Sequence, residues 1–185
     1  MAFWNDAQTE PKRQFRWVLQ FGLGTDTIVE SYFVKTAKKP SFTVSEVPLQ
    51  YVSHTFYYPG RVAWQPIDLT FVDPVDPDTS TTLANIVAAS GYYLPTDPIK
   101  AEKSMSKQGF VEAVGNPSLQ QIDADGNQIE EWRLSNAFVT NLDFGQLDYA
   151  SDELVIISMT LRYDYASLNA NRRSNPPSLL TPNRS

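Results

Sequence analysis

Leu154–Tyr165 is the clearest strand signal in the chain. Val155, Ile157, Met159, Leu161, Tyr163 and Tyr165 fall on one side, and Ser158, Thr160, Arg162 and Asp164 on the other. A period of two predicts a strand with one face in a core and one in water. A strand needs neighbours, so this stretch commits the chain to a sheet. The same period recurs in residues 14–21, QFRWVLQF, where Phe15, Trp17, Leu19 and Phe21 oppose Arg16, Val18 and Gln20. Extended runs are also expected over Ile28–Ala37, Ser41–Glu46 and Leu49–Tyr58. Pro59-Gly60 reads as a turn, and Arg61–Val72 as one long strand with Ile67, Leu69 and Phe71 inward. Further on, Gln120–Ala124 and Gln128–Leu134 flank Asp125-Gly126-Asn127, which predicts a hairpin with a type I′ turn. Arg133–Leu142 continues extended, and Phe144–Asp148 turns a corner into the long strand.

Two stretches change period. In DTSTTLANIVAAS, residues 78–90, Leu83, Ile86 and Val87 lie at i, i+3 and i+4, with N-cap residues at Asp78–Ser80 and Gly91 as the stop. That predicts one amphipathic helix packed on the sheets. A second short helix is expected at 98–107, capped by Asp97, with Pro98 in its first turn and Gly109 past its end. Its Lys100, Lys103 and Lys107 form either a solvated face or a contact with an acidic neighbour. The expected organisation is an arm over 1–13, a β domain over 14–168 and a tail over 169–185 rich in Asn, Pro and Ser. In the arm, Phe3 and Trp4 either rest on the body or anchor on another subunit. The tail has three arginines and no acid, so the body is more acidic than the net charge of −6 states.

Function classes narrow by subtraction. The acidic balance argues against a basic nucleic-acid footprint and against anionic membrane surfaces. No apolar run approaches the length of a membrane span, and MAFWNDAQTEPKRQ lacks the apolar core of a signal peptide, so neither is expected. Without cysteine there is no disulfide or thiol chemistry, which suits assembly in a reducing cytoplasm. His54 is the only histidine, so a zinc site would need carboxylates almost alone. On an alternating strand it reads as a surface or interface residue. Asp123, Asp125 and Asn127 imitate the start of a calcium loop, but Gly126 and Leu134 stand where that loop needs other residues. Asp73, Asp76 and Asp78 sit among Pro74 and Pro77, which makes a stiff turn leading to a helix cap the better reading. Gly22-Leu-Gly24 lacks the third glycine and the helix of a phosphate loop, and no G-x-S-x-G elbow is present. No enzyme, metal or cofactor is expected. What remains is an acidic, mainly β domain with one or two helices, built for binding or assembly.

Several stretches carry a resemblance. Tyr163-Asp164-Tyr165 is preceded by Trp132-Arg-Leu134-Ser-Asn136-Ala-Phe138 and by Leu142-Asp-Phe-Gly-Gln-Leu-Asp148-Tyr149. Near the start stands Pro11-Lys-Arg13-Gln-Phe-Arg16-Trp17, and Tyr58-Pro-Gly60 is followed by Trp64 and Ile67-Asp-Leu-Thr-Phe71. In order and spacing these resemble the tail tube proteins of contractile-tailed bacteriophages, over roughly residues 4–167. Nothing carries over in 92–128 or after 167. The resemblance implies a β-sandwich, barrel-like fold with a flanking α-helix. It implies hexameric rings stacked into a tube inside a contractile sheath, with DNA passing along the lumen. The partners it implies are further copies of the chain, the tail sheath protein, the baseplate tube initiator and tail terminator, and the tape measure protein. The localisation would be the virion, assembled in the host cytoplasm. Other contractile injection systems use the same fold, as do the baseplate proteins that start a tube.

Aromatics and arginine favour interface anchoring, which with the resemblance gives a candidate subunit interface: Trp4, Arg13, Arg16, Tyr57, Tyr58, Arg61 and Trp64. An acidic lumen would repel phosphate and keep DNA from sticking. Two alternatives stay open. One is a tube initiator or baseplate adaptor of the same fold. The other, of a different class, is a carbohydrate-binding module in which Trp4, Trp64 and tyrosines stack on sugars. A hydrolase built on acids alone ranks last.

Overall fold

The computed structural model describes residues 11–20, 33–92 and 104–170. Two four-stranded antiparallel sheets face each other. The first has the order β1-β6-β7-β10, from Trp17–Gln20, Ser118–Ile122, Gln128–Ser135 and Tyr165–Ala170. The second has the order β2-β5-β9-β8, from Val34–Ala37, Ile67–Val72, Ile156–Arg162 and Phe138–Asp143. A third, two-stranded sheet joins β3, Phe42–Tyr51, to β4, His54–Trp64. Leu19, Leu119, Leu134 and Ala166 from the first sheet meet Ile67, Leu69, Phe71, Ile157, Met159 and Leu161 from the second. The alternation of β5 and β9 read from sequence is therefore a true core face.

Helix α1, Thr79–Ala89, starts at Asp78, whose side chain accepts from the Thr81 N–H, and buries Leu83 and Ile86. Gly91 follows with φ +103°. Residues 98–103 of the helix expected at 98–107 lie outside the described residues. Helix α2 runs Lys107–Val114, is capped by the Ser106 side chain and stops at Gly115, so Gly109 lies inside a helix rather than past its end. Gly109 belongs there because a Cβ would come 2.7 Å from the Ser90 carbonyl oxygen, so the glycine lets α2 pack against the end of α1. Lys100 and Lys103 lie outside the described residues. Lys107 does meet an acid, Asp164 of its own chain, at 2.7 Å.

Five other readings are corrected, and each correction is a change of sheet or of turn. The stretch read as one strand over Arg133–Leu142 breaks at Asn136, whose φ is +54°. β7 ends before it in the first sheet and β8 begins after it in the second. The strand read over Leu154–Tyr165 likewise ends at Arg162, and β10 starts at Tyr165 in the opposite sheet. These two crossings are fastened together. Asp164 accepts from Asn136 Nδ2 at 2.7 Å and from Lys107 Nζ, and its N–H donates to the Ser135 carbonyl. The hydrogen bond from Lys107, then that from Asn136, holds the Asp164 carboxyl below its ordinary pKa. The strand read over Arg61–Val72 is divided by Gln65-Pro66 into β4 and β5. Pro59-Gly60 is no turn: both residues lie inside β4, and the reversal is at Val52-Ser53. The 123–127 hairpin is present, but its turn is type I rather than I′. The Gly126 N–H bonds the Asp123 carbonyl, and in that loop only Gly126 has positive φ. Asp123 accepts from the backbone N–H groups of Asp125 and Asn127, which explains the acid there without a metal.

Candidate assembly interface

The β3–β4 hairpin is built unlike the rest of the molecule. Every residue of β3 is exposed, as is every residue of β4 but Trp64. Ten residues at about 3.3 Å each make an arm roughly 33 Å long. Its base is tied down. Phe42 packs edge-on against Trp64 at 5.1 Å, and Trp64 packs on Tyr163 at 5.9 Å. Beyond the base the arm touches no other strand in its sheet.

The register shows where its apolar face goes. Residues directly opposite in an antiparallel pair share a face. At the base Phe42 opposes Trp64 and Val44 opposes Val62. Between Val44 and Glu46 the register shifts, so that Gly60 and Arg61 together oppose Ser45. Past this bulge Val47 opposes Tyr58, Leu49 opposes Phe56 and Tyr51 opposes His54. In β3 the apolar positions change from even to odd at this point, so the apolar face of the tip is opposite to that of the base. The other tip face carries Glu46, Pro48, Gln50, Thr55, Tyr57 and Pro59. A bulge re-aims side chains, and here it turns an apolar surface away from the chain's own core.

Gly60 makes the bulge feasible. A Cβ at this position would stand 2.3 Å from Ser45 Oγ and 2.9 Å from the Ser45 carbonyl oxygen. Ser45 Oγ in turn accepts from the Arg61 N–H at 2.8 Å. Pro59, without an N–H, is tolerated because bulges and edges spare a donor.

The residues singled out by sequence divide by place. Tyr57 and Tyr58 are exposed on opposite faces of the tip, and Arg61 is exposed at the bulge. Trp64 is half-buried between Phe42 and Tyr163 and anchors the arm to the body. A sugar-stacking platform therefore lacks a free Trp64. Arg13 and Arg16 belong to the segment leading into β1, away from the hairpin in sequence and in sheet. The Arg13 carbonyl accepts from Gln121 Nε2, and the Arg16 guanidinium lies 5.5 Å over the Phe15 ring. Trp4 lies outside the described residues. The sequence reading missed Val47, Leu49, Tyr51 and Phe56. The switch of apolar parity at Ser45-Glu46 was the signal that could have found them.

It also missed Glu130, which sits in the open end of the sandwich. Lys12 and Lys39 pair with it, and Trp132 Nε1 donates to it at 2.7 Å. Burial alone would raise its pKa. The hydrogen bonds from Lys12, Lys39 and Trp132 outweigh burial and hold it at about 2. This cluster fastens the segment before β1 and the β2–β3 link to β7. Among the described residues no group of three His, Cys, Asp or Glu side chains is placed to hold a metal ion.

No protein-family model and no curated protein matches the sequence. Solved structures do match the fold. A chain of the anti-feeding prophage (AFP) baseplate, in a 6-fold symmetrised structure, superposes with TM-score 0.64 at 13% identity, over 87% of this chain and 97% of that one. A chain of the sheath/tube terminator of the extracellular contractile injection system PVC, in its extended state, gives 0.64 at 16%, over 87% and 98%. A chain of the extended PVC sheath–tube complex gives 0.61 at 17%, over 92% and 99%. Matched over nearly the full length of each of these chains, the protein has a fold found in contractile injection assemblies.

Proposed function

We propose that this chain is a ring-forming subunit of the inner tube of a contractile tail, and that its rings stack into a conduit for DNA. The observation that carries this reading is the hairpin tip. Val47, Leu49, Tyr51, Phe56 and Tyr58 form one exposed apolar face that no element among the described residues covers. A two-stranded ribbon is marginal by itself, and an exposed apolar surface of this kind marks an interaction site. A second copy is the simplest cover. The first sheet supports the same reading. β1 and β10 are its open edges, and its four strands alternate in direction. With an even strand count, β10 of one copy meets β1 of the next antiparallel, and repetition closes a barrel in which no edge stays free. Such a contact is head-to-tail and closes by rotation. The fold likeness to chains from a 6-fold baseplate and from a sheath–tube complex points the same way. The net charge of −6 suits a DNA conduit, since an acidic wall does not hold phosphate.

The test is negative-stain electron microscopy of purified protein, with sedimentation of the same sample. Hollow tubes or stacked rings with sixfold end views are expected. Single rings that never stack would make the chain an initiator or baseplate adaptor. A monomer that also fails to polymerise on added baseplates would overturn the reading. Arg61→Glu, at the bulge, should weaken polymerisation and leave the monomer folded. Intact tubes from that variant would remove Arg61 from the interface.

A further inference from the structure

The loop between β8 and β9, residues 144–155, is a second exposed apolar surface. Leu147, Tyr149 and Leu154 project from it, 84%, 112% and 71% exposed. Asp148, Asp152 and Glu153 stand among them, and no lysine or arginine of the described residues pairs with these acids. The loop is nevertheless held in shape. The Asp73 N–H donates to the Val155 carbonyl, Ser151 N–H to the Asp148 carbonyl, and Asp148 Oδ1 accepts from the Ala150 N–H. Apolar side chains displayed on a fixed loop among unpaired acids describe a docking surface for something basic and partly apolar.

We infer that residues 171–185 of the same chain dock on this loop. That segment reads NRRSNPPSLLTPNRS: it has Arg172, Arg173 and Arg184, no acid, and the apolar pair Leu179-Leu180. Its charge is the complement of the loop's, and its two leucines match the loop's apolar side chains. The topology also delivers it to the right place. β7 passes to β8, and β9 to β10, through two-residue crossings at one end of the sandwich. These short crossings stack the β7–β10 edge of one sheet over the β9–β8 edge of the other. β8 and β10 both run away from the crossings for six residues. Asp143, where the loop begins, and Ala170, where the segment leaves, therefore lie at the same end and edge, about one sheet spacing or 10 Å apart. Fifteen extended residues reach about 50 Å, far more than needed. Docked there, the segment caps the loop's apolar side chains and neutralises acids at the sandwich end.

The test is timed trypsin cleavage after Arg172 and Arg173 in the full chain, on a fraction shown by sedimentation to be monomeric. Asp148→Asn/Asp152→Asn/Glu153→Gln is the comparison, with Leu179→Ser/Leu180→Ser as a second variant. Asp148, Asp152 and Glu153 are exposed, and an unchanged Tm checks folding for both variants. Cleavage tracks the undocked fraction, so each variant should be cut about tenfold faster than the parent. Added salt should close the gap for the charge variant. Equal rates for parent and both variants would overturn the inference. So would protection that vanishes on dilution, because a second copy would then be supplying the segment. Neither result bears on tube formation, which is read by microscopy.

Discussion

The sandwich and the hairpin are made from the same kind of residue pattern and end in opposite states. In β5, Ile67, Leu69 and Phe71 alternate with polar neighbours and are wholly covered by the facing sheet. In the tip of the hairpin, Val47, Leu49 and Tyr51 alternate as cleanly and are each more than half exposed. Strand formation therefore needs only the alternation, while burial needs a second layer. The sandwich carries its second layer within the chain. The hairpin presents its apolar tip face, by means of one bulge, to no second layer among the described residues. On the proposed function, one region settles the stability of the monomer and the other what the monomer joins.

Breaking the sandwich should have the largest effect on folding. Phe71 is fully buried between the sheets, and Phe71→Ala should cost about 3–5 kcal/mol. Tm by calorimetry should fall steeply, and assembly should fail only because the fold does. Next comes the Glu130 cluster. Its folded pKa, about 2, lies below the ordinary value of 4.5. The stabilisation is thus fully present above about pH 4.5 and is lost as pH falls through 2. Both lysines are about half exposed, so screening reduces what the ion pairs contribute. Glu130→Gln should cost about 1–2 kcal/mol at pH 7. It should also flatten the fall of Tm between pH 5 and pH 2, and an unchanged acid limb would remove Glu130 from that role. Gly60→Ala should act on the hairpin alone. The added Cβ collides with Ser45, so hydrogen exchange over 42–64 should quicken while the global stability moves by less than about 0.5 kcal/mol.

Legibility in the sequence followed the same divide. The core faces of β5 and β9 and the start of α1 could be read directly, because local period and capping chemistry decide them. The strand breaks at Asn136 and at Tyr163-Asp164 could not. Alternation passes through Tyr163 and Asp164 without a gap, and at Asn136 the lapse in it is a single residue; the clasp of Asp164 with Asn136 and Lys107 shows that the chain changes sheets there. Pro59-Gly60 misled for a related reason: the dipeptide favours turns, but the long pairing of β3 with β4 absorbed it as a bulge. The exposed hairpin residues Tyr57, Tyr58 and Arg61 were singled out because aromatics and arginine draw attention. Val47, Leu49 and Phe56 were passed over because each, taken alone, looks like a core residue, and only the parity switch at Ser45-Glu46 sets them apart.

The smallest expected change in folding stability belongs to the variant that most sharpens the comparison. Leu49→Ser/Phe56→Ser replaces one cross-strand pair on the apolar face of the tip. Both side chains are about half exposed and lie outside the core. The global unfolding free energy should therefore stay within about 0.5 kcal/mol of the parent. If the tip is covered by a second copy, each side chain contributes roughly 1.5–3 kcal/mol when fully buried. A ring repeats the contact at every subunit, so the loss multiplies around it and polymerisation should fail. Sedimentation should then show monomers with an unaltered Tm. Tubes formed as readily as by the parent would leave the apolar tip without a partner of its own kind, and would shift the assembly contact to the open edges β1 and β10. A large fall in Tm would mean that the tip is packed against its own chain in solution, and the contrast between a self-sufficient sandwich and a waiting arm would be lost.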